Sequence, residues 1–456
     1  MLAVPVTMQR LRAQLDEHLF PPSPPVRGRL ANWERAAVLV ALLVLAIVAQ
    51  LTRAGWQGSL QALWAEDGPI FLQEAIGHGF GETLFAPYSN YLVVVPRLIG
   101  DAAALAPLGA APAVVSILAA ALATVSGLFV WQAGAAHIRN PYLRGALVLA
   151  TVLVPVGGLE SVDSASYVSW YMLFACFWIL LWRPATWWGT AAACGFLVLT
   201  GLSNPGVWFL APLAVLRALA ARDRRDLAIL AAFAAPALVQ AAVISQNHDP
   251  AVDPAWSEQI WTAYLQRVVD GAPFGLHLGG VAWELLGWPL LVALLLAGAA
   301  GAWIGLRRAG PGTRWLAAIA LPTSLLLFLV SLYQRALGPA MAWPADVSHG
   351  NGGRYAIVPV LLVIGVALAL IDGAERRRSP RTRISPLGSA AVALIALAVA
   401  TSFYVGDTAA RGTPEWDSAL DTAAGECGTG TSAVATVPTS PPGFVMSLPC
   451  AEILDR

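Results

Sequence analysis

Apolar residues run through this chain in long blocks separated by short polar stretches, the pattern of helices that cross a membrane. A helix spanning roughly 30 Å of hydrocarbon needs about 20 apolar residues, and somewhat fewer where protein covers its ends. On that rule about eleven spans are expected, near 36–53, 112–134, 145–159, 166–183, 186–202, 206–221, 227–245, 281–306, 315–333, 355–372 and 386–404. The expected fold class is an all-α polytopic membrane protein. Composition agrees, because 57% hydrophobic and 12% charged residues exceed what a soluble fold of this length can bury.

Charge adds sidedness. The net charge is zero, yet arginines cluster while acids gather elsewhere. Arg10, Arg12, Arg27, Arg29 and Arg35 precede the first apolar run, which places a cytoplasmic segment at 1–35 and the N-terminus inside. Alternating the spans from there puts Arg139 and Arg144, Arg183, Arg222 to Arg225, Arg307 to Arg314 and Arg376 to Arg383 on that same face. The opposite loops carry Glu66, Asp67, Glu74, Glu82, Glu160, Asp163, Asp249, Asp253, Glu258, Asp270 and Asp346, with scattered Arg97, Arg267, Arg335 and Arg354. A cleavable signal peptide is not expected, since the basic region is long and no small-residue cleavage site follows the first apolar run. The basic residues are all Arg, a bias of composition with no mechanistic weight.

Three regions break the membrane domain of 36–404. An external loop over 54–111 is expected to hold interfacial helices, one from Pro69 to Ile76 stopped by Gly77-His78-Gly79-Phe80-Gly81, and a second entered through Tyr88-Ser89-Asn90-Tyr91. A second external loop, 246–280, has an amphipathic stretch from Trp256 to Val269 that suits the membrane surface. Residues 405–456 lose the apolar runs and form a small external tail, in which Cys427 and Cys450 suit a disulfide. Cys176 and Cys194 fall in apolar runs and suit packing.

Glu66 and Asp67, in Leu63-Trp64-Ala65-Glu66-Asp67-Gly68, are the leading candidates for chemistry. A carboxylate at the rim of a membrane-embedded cavity can act as a base or hold a metal. Adjacent helical positions point about 100° apart, so only one of the two needs to face a cavity, and the expectation puts Asp67 first. Their alternative is a solvated loop or acids complementing the helix start at Pro69. Glu160 and Asp163 form a short polar turn, where capping by Ser161 or Asp163 explains them equally well. Asn204-Pro205-Gly206 suits a tight turn. Arg354, in His349-Gly350-Asn351-Gly352-Gly353-Arg354-Tyr355, offers a guanidinium fork at the depth of lipid phosphate, or else snorkels there, and Arg335 has the same two readings. His248 and His277 suit structural roles. The chain has no metal-ligand spacing of His or Cys, no phosphate-binding Gly-Lys-Ser/Thr run and no Gly-x-Ser-x-Gly elbow.

One span, an external loop with Glu66-Asp67, interfacial helices and then a long series of spans together resemble the C-type polytopic glycosyltransferases. The resemblance covers most of 36–404 and rests on topology and the acidic first-loop motif. It implies a polyprenyl-phosphate-linked sugar donor and transfer, with inversion, to a cell-envelope glycan or lipid acceptor outside a bacterial plasma membrane. By position, Asp67 or Glu66 is implied as base or metal ligand, with a divalent cation left open as cofactor. Arg354 and Arg335 are implied as contacts to the donor phosphate, and Tyr88, Asn90, Arg97, Glu160, Asp163, His248 and His349 as the polar residues available to line a substrate site. Membrane lipids are implied partners and nucleic acid is not. A carrier for a lipid-linked saccharide, or a noncatalytic envelope-assembly subunit, stays open beside the transferase.

Overall fold

A computed structural model of the chain describes residues 6–22, 32–247, 254–337, 352–378, 384–406, 412–430 and 432–455. The protein is mostly helical, and every expected apolar run overlaps helix, the one over 145–159 only as far as Val152. Among the described residues, six helices are long and apolar enough to cross a membrane: Trp33–Leu51, Leu108–Ala136, Arg224–Gln246, Trp288–Arg308, Pro311–Gln334 and Arg354–Arg376. The remaining runs make shorter apolar helices, Pro141–Val152, Val168–Leu181, Trp187–Gly201, Pro205–Ala220 and Pro386–Thr401. Their starts follow local chemistry. Proline opens several of them, where its missing N–H costs nothing, and Asn140, Thr186, Asn204 and Ser385 cap the first turn through their side chains.

Val168–Leu181 forms the centre of the bundle, buried along nearly its whole length. It packs against Ala111–Ala133, Trp187–Gly201 and Arg354–Arg378. A helix apolar all round is suited to such a place. Trp33–Leu51 and Trp288–Arg308 instead present most of their apolar surface outward, as lipid-facing helices do.

Four elements depart from expectation. The run expected at 281–306 is divided at Gly287, whose φ of 55° ends Gly271–Leu286 before Trp288–Arg308 begins. The stretch from Trp256 onward is helical but not wholly at the surface: Ile260, Ala263, Gln266, Val268 and Asp270 are buried in the bundle. At the N-terminus, Val6–Gln14 continues into a π-helical turn, Leu15–Leu19, that buries Leu15, Leu19 and Phe20. Asp16 there pairs with Arg183 at 2.5 Å, and Arg183 and Arg217 both reach Asp226, at 3.2 and 2.8 Å, tying this segment to the neighbouring helix ends.

The fourth departure corrects the all-α reading. After Trp416–Gly428 the tail forms an antiparallel hairpin, β1 Val434–Thr439 and β2 Phe444–Pro449, followed by the short helix Cys450–Leu454. Burial alternates along both strands, with Ala435, Val437, Met446 and Leu448 turned inward. Cys427 and Cys450 are joined by the expected disulfide, their Cα atoms 5.5 Å apart.

Candidate functional site

The first loop is shaped from outside by the tail. Ser440 donates its N–H to the Leu63 carbonyl at 2.9 Å, and its own carbonyl accepts the Ala65 N–H. Ala65 takes a φ of 45°, an uncommon conformation for a residue with a Cβ, and a short 3-10 turn, Ala65–Asp67, follows. The chain then continues as Gly68–Leu72 and Gln73–His78, close to the expected helix, and ends at Gly79 with φ 98°. Helix Val94–Ala104 lies close behind: a Cβ at Gly100 would sit 2.6 Å from the Phe71 carbonyl oxygen.

This turn gives the two acids different partners: Glu66 lines a cavity, and Asp67, the one put first from sequence, does not. Asp67 is 1% exposed. Its carboxylate accepts the Ala165 N–H at 3.1 Å, the Ser166 N–H at 2.8 Å and the Ser166 hydroxyl at 2.5 Å. Burial raises its pKa to about 7, outweighing the hydrogen bonds from Ser166 and Ser164 that pull the other way. Asp67 therefore fastens the first loop to the loop before Val168–Leu181. Glu66 lines a cavity of about 730 Å³. There its carboxylate accepts the Tyr167 hydroxyl at 3.0 Å and the Tyr88 hydroxyl at 3.2 Å. Burial, the Glu66 charge and the bond to it hold the Tyr88 phenol above its usual pKa, so it remains a donor.

Tyr88 reaches Glu66 because the Tyr88-Ser89-Asn90-Tyr91 turn is closed by paired backbone bonds of 2.8 and 3.1 Å between Tyr88 and Tyr91. Ser89 and Asn90 supply the positive φ values this needs, 46° and 68°. Tyr91, Ser89 and Asn90 line the same cavity. Arg335, just after Pro311–Gln334, and Arg354, which opens Arg354–Arg378, line it too. The Arg354 guanidinium carbon lies 4.5 Å from the Tyr167 ring centre and 4.7 Å from that of Tyr355. Glu160 pairs with it, and the second Glu160 oxygen accepts the Gly352 N–H at 2.9 Å. Tyr91 feels both arginines, which oppose the upward push of burial on its hydroxyl.

Glu66, Tyr88, Asn90, Arg335 and Arg354 are thus brought together, and four other expected residues stand behind the cavity wall. Arg97, 2% exposed, pairs with Glu74 at 2.5 Å and donates to the Ala86 carbonyl at 2.9 Å, bracing the loop. Glu160 holds Arg354. Asp163 accepts the Ser59 hydroxyl and does not cap the next helix, which has no side-chain cap. Asp67 holds Ser166. His248 and His349 lie outside the described residues. The cavity also gathers residues that sequence reasoning passed over, Tyr167, Trp170, Tyr355, Ser169 and Ser203, together with Asn204, expected only in a turn. Their signal was weak, a few polar and aromatic residues at the ends of apolar runs, where interfacial anchoring is the ordinary explanation.

Among the described residues Glu66 is the one carboxylate lining the cavity, and no group of three His, Cys, Asp or Glu converges on a point. The donors present do not make a metal-ligand set. No family model, no curated protein and no solved structure shows a significant match to the chain.

Proposed function

We propose that this membrane protein is a C-type polytopic glycosyltransferase, which moves a sugar from a polyprenyl-phosphate carrier to a hydroxyl of a cell-envelope glycan or lipid. The observation that carries the reading is one cavity lined by Glu66, Arg354 and Arg335 together. In this topology the chain makes eleven spans with its N-terminus inside, in a bacterial plasma membrane, and the cavity opens on the outer face. The alternation of the arginine clusters supports that orientation.

The donor phosphate binds against Arg354, whose planar guanidinium is oriented by Tyr167, Tyr355 and Glu160, with Arg335 adding charge. The acceptor hydroxyl lies against Glu66. As its oxygen bonds to the anomeric carbon, the bond from that carbon to the phosphate oxygen breaks and its electron pair stays with the phosphate. The hydroxyl proton passes to the Glu66 carboxylate. Attack from the face opposite the leaving phosphate inverts the anomeric centre. Tyr88 and Tyr167 fix the carboxylate for this step, and the arginines stabilise the charge gathering on phosphate.

The test is transfer by the purified chain in vesicles, with a panel of polyprenyl-phosphate-linked sugars and the glycan or lipid fraction of envelope as acceptor. A glycosylated product, lost in Glu66→Gln, supports the reading. Transbilayer movement of the lipid-linked sugar without any transfer would make the chain a carrier and overturn it.

A further inference from the structure

We infer that the disulfide-closed tail is the positioning device of the Glu66 loop, with Thr439, Ser440 and Met446 acting through that loop on the carboxylate. The inference rests on the transferase reading for its catalytic consequence and on geometry alone for the grip itself.

The grip has three points along the loop. Before the acids, Ser440 pairs with Leu63 and Ala65 in a parallel bridge centred on Trp64. Immediately after them, Gly68 is pressed against the tail: a Cβ there would lie 2.7 Å from Thr439 Cγ2 and 2.9 Å from Met446 Sδ. Further on, the Ser447 N–H donates to Gln73 Oε1 at 2.7 Å. Upstream, Trp416 donates its N–H to the Gln61 carbonyl and its indole N–H to the Leu108 carbonyl, both at 2.9 Å. Glu66 therefore sits between two fixed points only a few residues apart.

That placement answers a physical need. Ala65 holds a positive φ, a conformation an alanine leaves unless its surroundings insist on it. Its N–H is bonded to Ser440 in this state, so the tail supplies the reason for the turn that aims Glu66 into the cavity and Asp67 away from it. The tail also has internal structure of its own. Val437, Met446 and Leu448 are buried within it, and the Cys427–Cys450 link ties Trp416–Gly428 to the end of the hairpin. A loop set in this way keeps its carboxylate aimed without drawing on the substrate. Loosening the grip should thus lower turnover and leave the donor site at Arg354 and Arg335 as it was.

The decisive experiment uses the full chain in lipid nanodiscs and compares the wild type with Gly68→Ala, Thr439→Ser and the two together. Thr439→Ser removes the methyl that a Cβ at position 68 would strike. Amide hydrogen exchange over residues 61–75 and, separately, the kcat and KM for the donor are read. Gly68→Ala should speed exchange over this segment about tenfold, with the helices unaltered, and lower kcat about tenfold with KM nearly unchanged. Thr439→Ser alone should shift both readouts less than Gly68→Ala does, and the combined variant should recover part of both, since Met446 Sδ still faces the new Cβ. Cys427→Ser with Cys450→Ser, which loosens the tail without touching the loop, should show the same rise in exchange and the same split. Unchanged exchange in Gly68→Ala and in the cysteine pair, or no recovery in the combined variant, overturns the inference. Should the exchange results hold while even the wild type transfers no sugar, the grip stands and the transferase reading fails.

Discussion

The Tyr167 hydroxyl donates to Glu66 at 3.0 Å while the ring of the same tyrosine lies 4.5 Å beneath the Arg354 guanidinium. One side chain thus touches both the only carboxylate lining the cavity, among the described residues, and a cation that lines it. Tyr167→Phe keeps the ring and removes the hydroxyl. It is expected to lower turnover about tenfold with donor affinity preserved, whereas Tyr167→Ala should weaken both. Steady-state kinetics on the two variants separates the roles.

Arg354 is held as a flat ion between two rings and against Glu160. A lysine supplies the charge but neither the fork nor the stacking surface. Arg354→Lys is expected to weaken donor binding about tenfold, and Arg354→Ala about a hundredfold. Equilibrium binding of a polyprenyl-phosphate sugar to vesicle-embedded protein checks this.

Asp67 should reveal itself in stability. Its folded pKa of about 7 lies above the ordinary 3.8, so the folded state holds this proton more tightly than the unfolded state. The resulting contribution is fully present below about pH 4 and is lost as pH rises through about 7. Subtracting the thermal stability of Asp67→Asn from that of the wild type across this window should therefore give a difference that declines with pH. At neutral pH the variant is expected to retain catalysis in the molecules that remain folded.

Arg97→Ala removes one partner of a pair whose guanidinium is buried and leaves Glu74 and the Ala86 carbonyl without it. The expected loss is about 3 kcal/mol of stability, softened because Glu74 is a third exposed. The donor KM of the folded fraction should not change. A chemical denaturation curve and a donor titration test the two halves of this prediction.

The apolar runs were legible because burial in lipid demands continuous hydrophobicity, and each became a helix. The eventual break at Gly287 was hidden, since a glycine within an apolar run is ordinary until a positive φ is required of it. The acidic pair was legible as a place but not as a direction. Glu66 and Asp67 follow Ala65, whose positive φ accompanies a bond to Ser440, a residue far away in the chain. The same distance concealed the tail's role, because strand alternation over six residues is a weak signal and says nothing about what the hairpin touches. Arg354 and Arg335 were picked out by their places at the mouths of apolar runs and both line the cavity, while Arg97, in the same external loops, braces the first loop.

The central claim is that Glu66, and not its neighbour, takes the acceptor proton. Its most direct measurement is the single-turnover rate of sugar transfer by Glu66→Gln and Asp67→Asn at matched folded concentration, with donor binding measured alongside. The account predicts a loss of about a thousandfold in Glu66→Gln with donor binding intact, and near-normal transfer by folded Asp67→Asn. Wild-type transfer in Glu66→Gln, or the large loss falling on Asp67→Asn alone, would contradict it.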